Sequence, residues 1–168
     1  RIDPKGNNST NGKYGIPSSN PFVKNDKPNV VKEIYAYGFR NPHRITWSKK
    51  GDMFVANIGH HNVEALYLVQ AGSNCGWPIR EGTFVIDPSQ NMFNIYPLPP
   101  DDANYHFTYP VAEYDHDEGN AITGGFEYWG KNIPELQGKF VFGDIVKGRL
   151  FYVEMNDLKV GTQATIKE

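Results

Sequence analysis

Cysteine is almost missing from this chain of 168 residues: Cys75 stands alone, so no internal disulfide can form and the redox compartment is not legible from thiol usage. A lone thiol is either reactive or a small buried hydrophobe, and burial is the expectation here. An excess of either charge is missing too. Seventeen Lys and Arg against nineteen Asp and Glu leave a net charge of −2, with an isoelectric point near 6.2. That balance lacks the basic footprint of a nucleic-acid partner. No apolar run approaches the roughly 18 residues that cross a bilayer, so no membrane span is expected. Arg1-Ile2-Asp3-Pro4 offers neither an initiating Met nor an apolar leader core, and the chain reads as an excised segment or a processed product.

What is present is strand-like. Hydrophobic residues make up 39% and aromatic residues 14%, a globular composition. Short β-branched and aromatic runs alternate with Gly, Pro, Asn and Asp clusters, which places strands at 33–37, 44–47, 53–57, 65–69, 121–128, 139–142 and 149–154. Short helical turns are admissible at 21–28 and at Pro134-Glu135-Leu136. Two stretches resemble each other, Gly51-Asp52-Met53-Phe54-Val55-Ala56-Asn57-Ile58 and Gly138-Lys139-Phe140-Val141-Phe142-Gly143-Asp144-Ile145, each followed by a loop and a second apolar strand. They begin 87 residues apart, about twice a propeller blade of roughly 40–45 residues. Two ordinary blades would account for the spacing, as would one blade with a long insertion. The insertion is favoured, because residues 72–108 are loop-like and contain Pro97-Leu98-Pro99-Pro100. On this reading residues 1–168 are a partial β-propeller of two to three blades. Its open sheet edges would invite self-association.

The ordered set of motifs is more specific than any one of them. Tyr37-Gly38-Phe39-Arg40-Asn41-Pro42-His43-Arg44 is followed by Trp47, Gly59, Glu64, Gly72-Ser73-Asn74-Cys75-Gly76-Trp77-Pro78 and Glu81-Gly82. Then come Ala121-Ile122-Thr123-Gly124-Gly125, Phe142-Gly143-Asp144 and Gly148-Arg149-Leu150. This order resembles the soluble glucose and aldose sugar dehydrogenases that use pyrroloquinoline quinone (PQQ), the glucose/sorbosone dehydrogenase family, over most of the chain. The resemblance implies an all-β fold, a six-bladed propeller of which only part is present, with PQQ and calcium held at one end and an aldose oxidised at its anomeric carbon. It implies that Arg40 and Asn41 face the cofactor. Gly59 and His60 offer main-chain carbonyls to Ca²⁺, and Lys147 or Arg149 meets the PQQ carboxylates. Such roles suit the residue types: arginine's planar fork pairs with carboxylates, and Ca²⁺ takes hard oxygen ligands. The chain departs from the family near Asn57, where an acidic residue is common, and at His60, where Gln or Pro is common.

Other constellations carry less. His60-His61 could suggest a transition-metal site, but adjacent strand residues point to opposite faces, so a solvated loop pair is expected. Asp115-His116-Asp117-Glu118 fails the spacing of a calcium-binding loop and reads as an exposed turn. Trp77, Tyr105, Tyr109 and Trp129 could stack on a sugar, although aromatic residues in sheets are more often core. The family's proton-accepting histidine comes from an earlier blade. None of His43, His60, His61, His106 and His116 stands in that context, so no catalytic residue is assigned and the isolated chain is expected to be inactive. The alternative reading is a non-catalytic propeller that binds a protein or carbohydrate partner, as related propellers such as that of the Hedgehog-interacting protein suggest. The family implies a periplasmic or extracellular location. Asn7-Asn8-Ser9 and Asn8-Ser9-Thr10 are formal glycosylation acceptors that agree with it.

Overall fold

The computed structural model describes all 168 residues, and the chain divides into two compact units. The smaller comprises Arg1–Tyr37 and Gln70–Ser73 and is built from turns. Asp3 bridges Gly15, and the buried Asn20 amide donates to the carbonyls of Arg1 and Lys32 at 2.9 and 3.0 Å. The Tyr14 hydroxyl donates to Glu33 at 2.6 Å. That bond raises the pKa of the phenol and lowers that of the carboxyl. The strand expected at 33–37 does not form. Tyr35 accepts from Gly72 and Tyr37 donates to Ser73, so the only mate of this segment is a tight turn, too short to build a ladder. Residues 21–28 close isolated four-residue turns instead of a helix.

The larger unit comprises Gly38–Val69 and Asn74–Glu168. Its first sheet has the order β1 (Pro42–Trp47), β2 (Met53–Asn57), β3 (Val63–Val69) and β7 (Ala112–Asp115). The second has the order β10 (Arg149–Glu154), β9 (Lys139–Asp144) and β8 (Ile122–Glu127). All pairings in both are antiparallel. The repeat read from the sequence coincides with two hairpins: β2 and β3 in the middle of the first sheet, β9 and the edge strand β10 in the second. Between β3 and β7, which pair directly, the chain makes a small third sheet of β4 (Arg80–Glu81), β5 (Phe84–Ile86) and β6 (Ile95–Tyr96). Pro134-Glu135-Leu136 is a 3-10 turn as expected.

Alternation explains the core. Phe54, Ala56, Leu66, Ala112 and Tyr114 point from the first sheet toward Ile122, Phe140, Phe142, Phe151 and Val153 of the second, forming one buried cluster. The Phe54 and Phe140 rings lie 4.9 Å apart, and emptying a site such as Phe140 costs about 3–5 kcal/mol. The other face of the first sheet is buried on β2 and β3, through Val55, Val63, Ala65, Tyr67 and Val69, and open on β1, where Ile45 and Trp47 are exposed. Phe39 meets Tyr67 edge-on there, and Gly82 lies against Val63. The second sheet has one covered face only: Phe126 and Leu150 are 71% and 70% exposed. Cys75 is buried, and desolvation pushes its thiol up to about 12, which keeps it protonated and unreactive. No helix is long and apolar enough to cross a membrane.

Candidate functional site

The loop ends of the two sheets are clipped together by buried polar groups. Glu64, at the start of β3, is fully buried. Its Oε2 accepts the Ile122 N–H at 2.9 Å, and its Oε1 lies 3.0 Å from His116 Nε2. Tyr114 on β7 donates its hydroxyl to Asp144 at the end of β9, at 2.9 Å. Burial opposes charge on Asp144, but hydrogen bonds from Lys147, Ala121, Tyr114 and Val146 outweigh it and hold this carboxyl below its ordinary range. The turn at 115–118 is therefore only partly an exposed one, since His116 turns inward to Glu64.

On the first sheet, four of the residues singled out in the sequence come together. The Asn41 N–H donates to Asn57 Oδ1 at 3.0 Å, its carbonyl accepts the Ile58 N–H at 2.9 Å, and Arg40 Nη1 reaches the Ile58 carbonyl at 3.5 Å. The Arg40-Asn41 turn is thus tied to the loop that carries Gly59 and His60. Arg40 is exposed and forms no ion pair. A Cβ on Gly59 would stand 1.7 Å from the Val63 carbonyl oxygen, so only glycine allows the loop to fold so tightly. The expected solvated loop pair holds for His61, which is exposed, whereas His60 is half-buried. Their rings lie 4.1 Å apart, His61 packs 4.0 Å from Phe93, and His60 lies 5.8 Å from Trp77. Desolvation in this cluster, together with the neighbouring His60, lowers the His61 pKa against the pull of Glu81.

Lys147 and Arg149 belong to the hairpin turn of the second sheet. Lys147 is exposed, forms no ion pair, and its N–H is held by Asp144 at 2.7 Å. Arg149 is already engaged: it binds both carboxylate oxygens of Glu168, at 2.9 and 2.5 Å, and the Glu118 carbonyl at 2.7 Å. Among the aromatic candidates, Tyr105 and Tyr109 serve the insertion. Arg80 pairs with Asp102 at 2.7 Å, lies 5.2 and 5.0 Å from the Tyr105 and Phe107 ring centres, and meets Tyr109. Trp129 is exposed, with Lys49 4.5 Å over its ring.

The residue that the sequence did not single out as a site is Glu81. It is 3% exposed, and its Oε1 accepts four successive N–H groups, those of His60, His61, Asn62 and Val63, at 2.7, 3.1, 2.9 and 3.0 Å. Its Oε2 is buried with no partner. The carbonyls of Gly59 and His60 accept no hydrogen bond from the protein. An anchored loop with two unclaimed carbonyls and a buried, uncompensated carboxylate oxygen behind it fits a hard cation. An unpaired guanidinium one turn away fits an anionic ligand. No cluster of three or more His, Cys, Asp or Glu side chains that could hold a metal ion is present, so a cation here would rest on main-chain carbonyls.

The HIPL1 protein of Arabidopsis thaliana is 31% identical over 145 residues, covering 80% of this chain and 20% of that protein. The soluble aldose sugar dehydrogenase of Escherichia coli, solved in its apo form, superposes with a TM-score of 0.66 at 23% identity, over 91% of this chain and 41% of that one. The PQQ-bound aldose sugar dehydrogenase of Streptomyces coelicolor superposes with a TM-score of 0.55 at 20% identity, over 90% and 36%. The chain spans between about a fifth and two fifths of the length of these relatives. The all-β architecture is therefore that of the sugar dehydrogenase propeller, represented in part. The glucose/sorbosone dehydrogenase family profile matches residues 9–168, and with the motif order and the strand arrangement in agreement, the chain belongs to the glucose/sorbosone dehydrogenase family.

Proposed function

We propose that the protein carrying this chain is a PQQ- and calcium-dependent dehydrogenase that oxidises aldoses at the anomeric carbon, in the periplasm or outside the cell. The observation that carries the reading is the hydrogen-bonded unit of Arg40, Asn41, Asn57 and residues 58–60, which sets a guanidinium without an ion pair beside two carbonyls that accept no hydrogen bond. When bound, the quinone supplies the hydride acceptor and the calcium polarises its carbonyl. Arg40 pairs with the anionic cofactor and stabilises negative charge on it. Asn41 holds the turn that aims Arg40, and the Gly59 and His60 carbonyls ligate the metal. Lys147 is the free cation of the second sheet, whereas Arg149 contributes only after leaving Glu168. No residue of this chain acts as the general base, so residues 1–168 alone are inactive. Calorimetric titration of PQQ into the full-length protein tests the reading. Binding that requires calcium and is lost with chelator, and that Arg40→Ala weakens, is the expected result; no binding under either condition overturns it.

A second reading draws on the exposed Phe126 and Leu150: a non-catalytic propeller that presents this face to a protein or carbohydrate partner, or to a second copy of itself. It calls for partner binding that is indifferent to PQQ and calcium.

A further inference from the structure

The β2–β3 loop and the β9–β10 turn are equivalent in the two sheets, yet they are held differently. In the second sheet Asp144, the last residue of β9, collects the N–H groups of Val146 and Lys147 with its own side chain, at 2.9 and 2.7 Å. Its counterpart in the repeat is Asn57, whose Oδ1 is taken by Asn41. The loop after β2 is held instead from outside the hairpin, by Glu81 on β4, with four N–H groups on one oxygen. A trans peptide points its carbonyl opposite its N–H. The carbonyls of Gly59 and His60, which share peptides with the N–H groups of His60 and His61, are therefore turned away from Glu81, toward the side left free of hydrogen bonds. An N–H bonded to a carboxylate also makes the carbonyl of the same peptide a stronger donor of electron density.

We propose that Glu81 is the positioning residue of a main-chain cation site: it pre-forms the 59–63 loop, directs the Gly59 and His60 carbonyls to one side, and supplies the negative charge that the cation balances. The proposal deepens the reading given above and rests on it for the identity of the ligands. Glu81 does not touch the ion. Its buried Oε2, which no donor compensates, marks a site whose charge is incomplete without one.

The test uses the full-length protein, stripped with chelator and free of quinone. Calcium is titrated calorimetrically into the wild type and into Glu81→Gln, which keeps an oxygen for the four N–H groups and removes the charge. Calcium affinity is expected to fall roughly 10- to 100-fold, while the calcium-free melting temperature stays near that of the wild type. Equal affinity in the two proteins overturns the role of Glu81 and leaves the ligand assignment standing; a wild type that does not bind calcium overturns both. Should Glu81→Gln fail to fold, hydrogen exchange on the calcium-free wild type decides. Protected amides at residues 60–63 support pre-formation by Glu81, and amides that become protected only when calcium is added overturn it.

Discussion

Two hairpin loops, 58–62 in the first sheet and 145–148 in the second, descend from the same sequence pattern but are organised by different logic. The second closes on itself. Asp144 uses both oxygens, taking Val146 and Lys147 on one and Tyr114 and Ala121 on the other. It is a finished structural cap that also fastens the two sheets to each other. The first loop is open. Its strand-end residue is the neutral Asn57, its N–H groups are gathered by an acid 18 to 21 positions away, and that acid keeps one oxygen without a partner. Buried polar groups are normally satisfied, so the unfinished loop is where binding is to be sought and the finished one is where stability is to be lost.

The largest effect expected on breaking this contrast is in the second loop. Asp144→Ala leaves the donors of Tyr114, Ala121, Val146 and Lys147 without their acceptor and is expected to cost roughly 3–5 kcal/mol, read by urea denaturation of the full-length protein. The same residue sets an acid limb. Its carboxyl is held below the ordinary value in the folded state, so its stabilisation is present above the unfolded pKa of about 3.9 and is lost as pH falls through the folded value. Asp144→Asn is expected to flatten that part of the stability curve below about pH 4; an unchanged acid limb would show that Asp144 is not the group responsible.

Next comes Gly59→Ala, which drives a methyl into the Val63 carbonyl. It is expected to cost roughly 3 kcal/mol, the upper end for overpacking, and to weaken calcium binding along with stability. The smallest effect belongs to Gly148 in the other turn, where a Cβ meets nothing within 4 Å but φ is +67°. Gly148→Ala is expected to cost about 1 kcal/mol from backbone strain alone, with calcium affinity unchanged. If both alanine variants altered calcium binding equally, the distinction between a binding loop and a structural turn would fail.

The strands that the sequence revealed were those built on strong local alternation. Residues 53–57 and 149–154 are strands over those same bounds, and 44–47, 65–69 and 139–142 differ only at their ends. β7 was missed because Ala112-Glu113-Tyr114-Asp115 is short and half acidic; it becomes a strand by pairing with β3, more than 40 residues earlier. The strand expected at 33–37 has the right residues and no extended neighbour. At the site, the Arg40-Asn41 turn and Gly59-His60 were legible as motifs. Glu81 was visible only as one acid in a motif, since nothing local distinguishes a solvated glutamate from one enclosed by four amides. Nothing local in the sequence shows that Arg149 is engaged by Glu168, 19 residues on.

The sequence by itself determined the family, the all-β class, the internal repeat and the candidate loops, because these depend on residue types at short spacings, which strand alternation and turn chemistry read directly. Only the tertiary structure decided which carboxylate closes which loop, which cations remain free, and where a buried oxygen is left without a partner. Those outcomes depend on groups far apart in the chain meeting across sheets, where burial turns an ordinary charged side chain into one that must be compensated.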